Sequence, residues 1–151
     1  LYINRRGREA TGSVTDGDFA AVRDRLARHL ESVTDPETGE KVVAKVYKPE
    51  DIYHGPRRSD APDLILGYNN LYRASWDTIL GKYPVEQILD NDDPWSGDHC
   101  MDARFLSGVC FCNRPLQTST PRIQDLAPTI LRAAGAPVPS AMSGRDILAG
   151  T

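Results

Sequence analysis

The sequence predicts an α/β fold in which a sheet is layered with helices. A short β-branched run at residues 41–47 and a short apolar run at residues 63–68 indicate strands. Two longer segments carry apolar residues at spacings of three and four, as one face of a helix requires. Strands that alternate with helices are typical of this class. The chain has 151 residues, of which 40% are hydrophobic, so we expect one domain with its own core.

The chain is expected to begin with a strand and a helix. Residues 1–4 alternate between apolar and polar side chains, which predicts a short strand at the edge of a sheet. Asp16 or Asp18 can cap a helix that runs to about Ser32. Four apolar residues at helical spacing support this helix: Phe19, Val22, Leu26 and Leu30. An exposed edge strand at the start of the chain would offer a route to homo-oligomers.

Two strands and a short helix are expected next. The first strand covers residues 41–47 and is ended by Pro49, whose ring removes a backbone donor. A polar stretch separates it from the second strand at residues 63–68, which is apolar enough to be buried. A short helix is expected near residues 85–89. The acidic, glycine-containing stretch at residues 90–102 is expected to be a loop.

The second half predicts one more strand. Residues 108–113 form an apolar run in which Cys110 and Cys112 would share one face, since alternate residues of a strand point the same way. We expect both to be buried thiols. Buried free thiols favour a reducing compartment and so the cytoplasm, although the sequence does not determine localisation. With Cys100 the count is odd, which argues against a complete disulfide framework.

A second helix is expected over residues 122–134. Its apolar residues recur at helical spacing: Ile123, Leu126, Ile130 and Leu131. Pro128 is expected within the first turn, where a missing backbone N–H costs nothing. Gly135 is a natural C-terminal cap, because a glycine adopts the left-handed conformation without strain.

The overall composition excludes two classes of partner. The formal net charge is −3, without the basic surface that nucleic acid binding requires. The sequence has no stretch approaching the roughly 20 apolar residues that a membrane span needs. We therefore expect neither a nucleic acid polymer nor a membrane segment.

One constellation is suited to chemistry, namely Asp98, His99 and Asp102 in the acidic loop. Imidazole is a ligand for zinc or manganese, and a nearby carboxylate can orient the ring through its second nitrogen. His99 is thus the candidate metal ligand, with Asp98 and Asp102 as the carboxylates that support it. The alternative is a plain hydrogen bond between Asp98 and His99 at the surface.

The same loop resembles a known metal-ligand segment. The sequence Ser-Gly-Asp-His-Cys-Met-Asp at residues 96–102 is similar to the last such segment of type I phosphodiesterase/nucleotide pyrophosphatase proteins, in the alkaline phosphatase superfamily. Residues 108–114 look like the strand that follows it there. The Asp-Leu-Ala-Pro-Thr-Ile-Leu sequence at residues 125–131, followed by Met-Ser-Gly-Arg at 142–145, resembles the closing segment of that family. This closing pattern also occurs in sulfatases and phosphonate hydrolases. The loop departs from the family at Cys100 and Met101, where Gly-Tyr is usual.

The resemblance implies a function for a longer protein. Residues 1–151 would be the C-terminal segment of an alkaline-phosphatase-like sheet layered with helices. The intact enzyme would hydrolyse phosphate esters, or sulfate esters, with divalent metal ions, zinc or manganese. His99 would hold one metal, while the nucleophile and the other ligands would precede this segment. No catalytic residue is placed in this chain. A single histidine is too few for a tight site, so we expect the isolated chain to be inactive and to bind metal weakly.

Three alternatives remain open at this point. Arg73 could bind an anionic substrate group as a bidentate donor, or it could pack on Trp76 or Tyr72. The chain could be a non-catalytic lid or partner-binding module, in which Asp98 and His99 only hydrogen-bond within a loop. It could also belong to a sulfatase or phosphonate hydrolase, which differs only in substrate.

Overall fold

The chain has a mixed α/β fold. The computed structural model describes residues 1–77, 80–82, 84–92, 94 and 101–148. These residues fall into two compact units, Leu1–Ser107 and Gly108–Thr151. In the described part of the chain, no helix is long and apolar enough to cross a membrane.

The elements follow in the order helix, strand, short helix, strand, helix. They are α1 (Asp16–Ser32), β1 (Val43–Tyr47), α2 (Pro49–Ile52), β2 (Ile65–Tyr68) and α3 (Ile123–Ala133), with single 3₁₀ turns at Arg58–Asp60 and Ala103–Phe105.

Helix α1 confirms the helix predicted from its apolar stripe. The N-cap is Thr15, whose hydroxyl oxygen accepts a hydrogen bond from the Asp18 backbone N–H at 3.2 Å. The sequence had pointed to Asp16 or Asp18 for this role. Asp18 instead accepts from the Thr15 hydroxyl at 2.6 Å. Both carboxylates lie in the first turn, where negative charge is favoured by the helix dipole.

The first unit is built on a two-stranded antiparallel sheet. Strand β1 pairs with β2 so that Val46 lies opposite Leu66 and Tyr47 opposite Ile65. The core of this unit contains Val43, Val46 and Leu64, and α1 packs on it through Leu26, Ala27 and Leu30. Both predicted strands are confirmed, each two residues shorter at its start than the apolar run.

Two other predictions in the first unit are wrong. Residues 1–4 do not form a strand. Leu1 exchanges backbone hydrogen bonds with Leu64, but the Ile3 N–H donates to the Asp63 carboxylate at 2.7 Å. The Asp63 side chain thus takes the place of the backbone carbonyl that would continue a pairing of strands. Without a strand at residues 1–4, the expected route to homo-oligomers through an exposed edge strand loses its basis. Residues 85–89 are not helical. Val85 is 99% exposed, so its apolar side chain does not pack on the described residues, and packing of that kind is what stabilises a short helix.

The second unit is organised around α3. The helix and its C-terminal cap confirm the prediction, with Gly135 at a φ of +69°. Pro128 lies in the second turn rather than the first, since the helix begins at Ile123. A proline at that position has no N–H to give to the carbonyl of Gln124, four residues earlier. The backbone of Gly144 lies against that same carbonyl, so closely that a Cβ on Gly144 would collide with it.

The predicted strand at residues 108–113 is absent. Val109 and Phe111 are 83% and 93% exposed, and Cys110 and Cys112 are exposed free thiols. The run makes no backbone hydrogen bond to any residue that the structure describes. A strand needs a neighbour to take up its backbone groups, and the described part of the chain supplies none to this run. The expectation of buried thiols is therefore wrong, and the argument that it gave for a reducing compartment is lost.

Helix α3 turns its apolar stripe away from its own unit. Ile123, Leu126 and Ile130 are exposed, although their spacing is that of a core-facing face. The buried face carries Asp125, Pro128 and Thr129 instead. The buried face of α3 therefore carries two polar residues and a proline, and both polar side chains accept backbone hydrogen bonds from residues 145–147.

Candidate functional site

The structure places two of the four predicted site residues. Asp98 and His99 lie outside the described residues, while Asp102 and Arg73 lie within them. The described residues therefore show how the chain is held two and three residues after the candidate metal ligand, at Met101 and Asp102.

Asp102 is a buried carboxylate with four hydrogen-bond donors. Its side chain is fully excluded from solvent. Oδ1 accepts from the Arg104 backbone N–H at 2.9 Å and from Arg104 Nε at 2.8 Å. Oδ2 accepts from the Tyr47 hydroxyl at 2.8 Å and from Arg104 Nη2 at 3.2 Å. A carboxylate with two donors on each oxygen has nearly all of its acceptor sites in use.

The backbone at Asp102 and directly before it is bonded to strand β2. The Asp102 N–H donates to the Tyr68 carbonyl at 2.9 Å, and Met101 bridges to Tyr68 in parallel fashion. Gly67 leaves room for the carboxyl group, because a Cβ built on Gly67 would lie only 2.8 Å from Asp102 Cβ. A residue with a side chain at position 67 would displace the buried carboxylate. We name the assembly of Tyr47, Gly67, Asp102 and Arg104 the Asp102 latch.

Electrostatics keep the latch ionised. The hydrogen bonds from the Arg104 side chain, opposed by burial and reinforced by the Arg104 N–H and the Tyr47 hydroxyl, lower the pKa of Asp102 to about 2. Burial and the bond to Asp102 raise the pKa of Tyr47. The pair therefore stays as carboxylate and neutral phenol at neutral pH, with the proton on the tyrosine. No proton passes between Tyr47 and Asp102 at neutral pH, so we assign the latch the structural role of anchoring the backbone at Asp102.

Arg73 has a described partner in the acidic loop. Its Nη2 donates to the Asn91 side-chain oxygen at 3.1 Å. Asn91 belongs to the acidic stretch that contains His99, so this bond joins the segment after β2 to the loop of the candidate ligand. The role of Arg73 toward an anionic substrate stays a prediction.

A second buried carboxylate was missed by the sequence analysis. Asp63 accepts a bidentate pair of hydrogen bonds from Arg8 Nη1 and Nη2, at 2.9 and 2.7 Å, and a third bond from the Ile3 N–H. Burial opposes the ionisation of Asp63, but these bonds together lower its pKa. The partners are 55 residues apart, and a pairing at that separation leaves no local signal in the sequence.

The closing segment contains a third such arrangement. Asp125 Oδ1 accepts from the Arg145 N–H and Oδ2 from the Arg122 N–H, each at 3.0 Å. The Thr129 hydroxyl donates to the Asp125 carbonyl at 2.6 Å and accepts from the Ile147 N–H at 3.1 Å. These contacts tie residues 145–147 to α3. The Asp and Thr of the Asp-Leu-Ala-Pro-Thr sequence are therefore engaged in holding the end of the unit together.

The described residues contain no metal site of their own. No group of three or more His, Cys, Asp or Glu side chains within them could hold a metal ion. His29 and His54 are both exposed. Comparison of the chain with protein-family models, with curated proteins and with solved structures found no match in any of the three.

Proposed function

We propose that this chain is the C-terminal portion of a metal-dependent hydrolase of phosphate esters, to which it contributes one metal-ligand histidine, His99. The proposal rests on the resemblance of residues 96–102 to a phosphodiesterase/nucleotide pyrophosphatase metal segment. The observation that carries it further is the Asp102 latch. It fixes the backbone three residues after His99 through a buried, ionised carboxylate, which would give the end of the loop the defined position that a metal ligand needs.

Positional accuracy is what a metal ligand requires. A ligand must be held by supporting hydrogen bonds to keep its ring in the geometry that the ion imposes. The carboxylate of Asp102 is bonded to Tyr47 and Arg104. Asp102 would therefore support His99 indirectly, by fixing the backbone at the end of the loop. Asp98 is then the carboxylate that remains in our proposal for orienting the ring of His99.

The closing segment supports the same assignment in a different way. Asp125, Thr129 and Gly144, which are part of the resemblance, each have a structural task within the second unit. Such residues identify a fold more than a substrate, so they favour the finer proposal that the chain is part of an alkaline-phosphatase-like sheet layered with helices. The outward apolar stripe of α3 is consistent with a further layer of a longer polypeptide covering it.

The chemistry proposed for the intact enzyme is hydrolysis with a Ser or Thr nucleophile that lies outside this chain. Divalent metal ions, zinc or manganese, would there activate the nucleophile and stabilise the charge on the leaving oxygen. His99 would hold one of them. The chain itself supplies the imidazole and the latch that fixes the end of its loop, and it contributes no catalytic residue.

Calorimetric titration of the isolated chain with zinc and with manganese tests this proposal, together with an assay on bis-nitrophenyl phosphate. We expect weak binding that His99→Gln removes and that the matched control His54→Gln leaves in place, with no turnover. Robust turnover by the isolated chain would contradict the statement that the nucleophile lies elsewhere. Binding that survives His99→Gln would contradict the ligand assignment.

A second candidate function accounts for the apolar stripe of α3 in another way. The exposed Ile123, Leu126 and Ile130 form a stripe that a partner protein could cover, as in a non-catalytic partner-binding module. The open reading frame discriminates the two. An upstream strand followed by a Ser or Thr nucleophile and a Ser-Asp-His-Gly sequence supports the hydrolase. A sulfatase or phosphonate hydrolase differs only in substrate, so the same assay on a sulfate ester separates it.

A further inference from the structure

The second unit exposes a pair of thiols on an unsupported piece of backbone. Cys110 and Cys112 are separated by one residue, and both are exposed. The side chain between them, Phe111, is 93% exposed. Residues 108–113 lie outside the helices and strands and form no backbone hydrogen bond with the rest of the described chain. Both thiols are therefore exposed, and no backbone hydrogen bond to the described residues holds the segment in an extended form.

The geometry of disulfides decides what this pair can do. In a strand, alternate residues are about 6.6 Å apart and their Cβ atoms point the same way. A disulfide needs Cβ atoms about 3.8 Å apart. A bond between Cys110 and Cys112 is thus incompatible with a strand, and it requires a backbone that can bend at Phe111. The structure supplies such a backbone, because no ladder hydrogen bond has to break.

We propose that Cys110 and Cys112 form a redox-active dithiol that exchanges with low-molecular-weight disulfides such as oxidised glutathione. One cysteine, as thiolate, attacks a sulfur of oxidised glutathione, which forms a mixed disulfide and releases one glutathione thiolate. The other cysteine then attacks the protein sulfur of that mixed disulfide and releases the second glutathione thiolate. In sum two protein thiols are oxidised to one disulfide, and one oxidised glutathione is reduced to two glutathione molecules.

The small ring makes this disulfide easy to reduce. Closure over a single intervening residue strains the bond, and strained, exposed disulfides have less negative reduction potentials than buried structural ones. The pair is therefore suited to reversible transfer of two electrons and unsuited to stabilising the fold.

This inference does not depend on the hydrolase proposal. The exchange needs only the exposure and the spacing of the two thiols. If residues 108–113 joined a sheet in a longer protein, oxidation and strand formation would exclude each other by the distances above. A failed exchange experiment would leave the assignment of His99 untouched, and a failed metal titration would leave the dithiol untouched.

The experiment is equilibration of the reduced full chain with oxidised glutathione, followed by intact mass and peptide mapping. Cys100→Ser provides the background in which only the pair remains. We expect the mass to fall by two hydrogens, with a bond between Cys110 and Cys112. In Cys100→Ser combined with Cys112→Ser, we expect the glutathione adduct on Cys110 to persist at least about tenfold longer, since the attacking thiol at high effective concentration is gone.

Two results would overturn the proposal. One is stable glutathione adducts on both cysteines of Cys100→Ser without closure of the bond. The other is no reaction of either thiol with oxidised glutathione, under conditions in which the cysteines of the same chain do react when the chain is unfolded.

Discussion

The substitution Asp102→Asn removes the charge of the Asp102 latch and keeps its size. The fall in the pKa of Asp102 from 3.8 to about 2 corresponds to about 2.5 kcal/mol of stabilisation at about 1.4 kcal/mol per decade. Arg104 is 57% exposed, so solvent screening reduces the contribution to about 1–2 kcal/mol. We expect the free energy of unfolding of the first unit to fall by this amount.

The pH dependence gives this prediction a sign. Because the pKa is lower in the folded state, the contribution is fully present above the unfolded value of 3.8. It is lost as the pH falls from about 4 toward 2. Urea denaturation followed by circular dichroism across this range should show the loss in the natural chain, and Asp102→Asn should lack that part of it. The control is Asp92→Asn, at an exposed position. A loss below about 0.5 kcal/mol in Asp102→Asn, as at ordinary surface positions, would refute the reasoning.

Two further predictions concern the other buried contacts. Gly144→Ala should destabilise the second unit by about 1–3 kcal/mol, because its Cβ collides with the Gln124 carbonyl. Hydrogen exchange at the Ile147 amide measures this, and Gly108→Ala, where a Cβ meets nothing within 4 Å, should change little. Arg8→Gln should cost about 1–3 kcal/mol by leaving the Asp63 carboxylate without its bidentate partner. The exposed Arg6→Gln is the matched control in chemical denaturation, and equal stabilities of the two variants would contradict the pairing.

The sequence predicted those elements of the fold that depend on nearby residues alone. Apolar residues at helical spacing predict α1 and α3, a β-branched run predicts β1, and a short apolar run predicts β2. Residues 108–113 are a short apolar run like that of β2, yet they form no strand, because strand formation also requires a neighbouring strand. Local propensity alone does not provide that neighbour.

The predictable part of the site was smaller for the same reason. The loop with His99 stands out by its residue types, but the partners of its one described carboxylate do not. Tyr47 and Asp102 are 55 residues apart, and only folding brings them together. Arg104 lies two residues from Asp102, but its role as a donor to this carboxylate could be recognised only once the structure showed that Asp102 is buried. The sequence also suggested Asp102 as a companion of the His99 ring, whereas its described hydrogen bonds are to Tyr47 and Arg104.

The central claim is that His99 is a metal ligand, and it can be tested on the chain as it is. Nitrogen-15 spectra of the imidazoles, recorded while zinc is added, report on His29, His54 and His99 separately. We predict that His99 responds at the lowest zinc concentration, and that His99→Gln leaves the two exposed histidines with only their weaker response. A titration in which His99 responds no earlier than His29 and His54 would contradict the account.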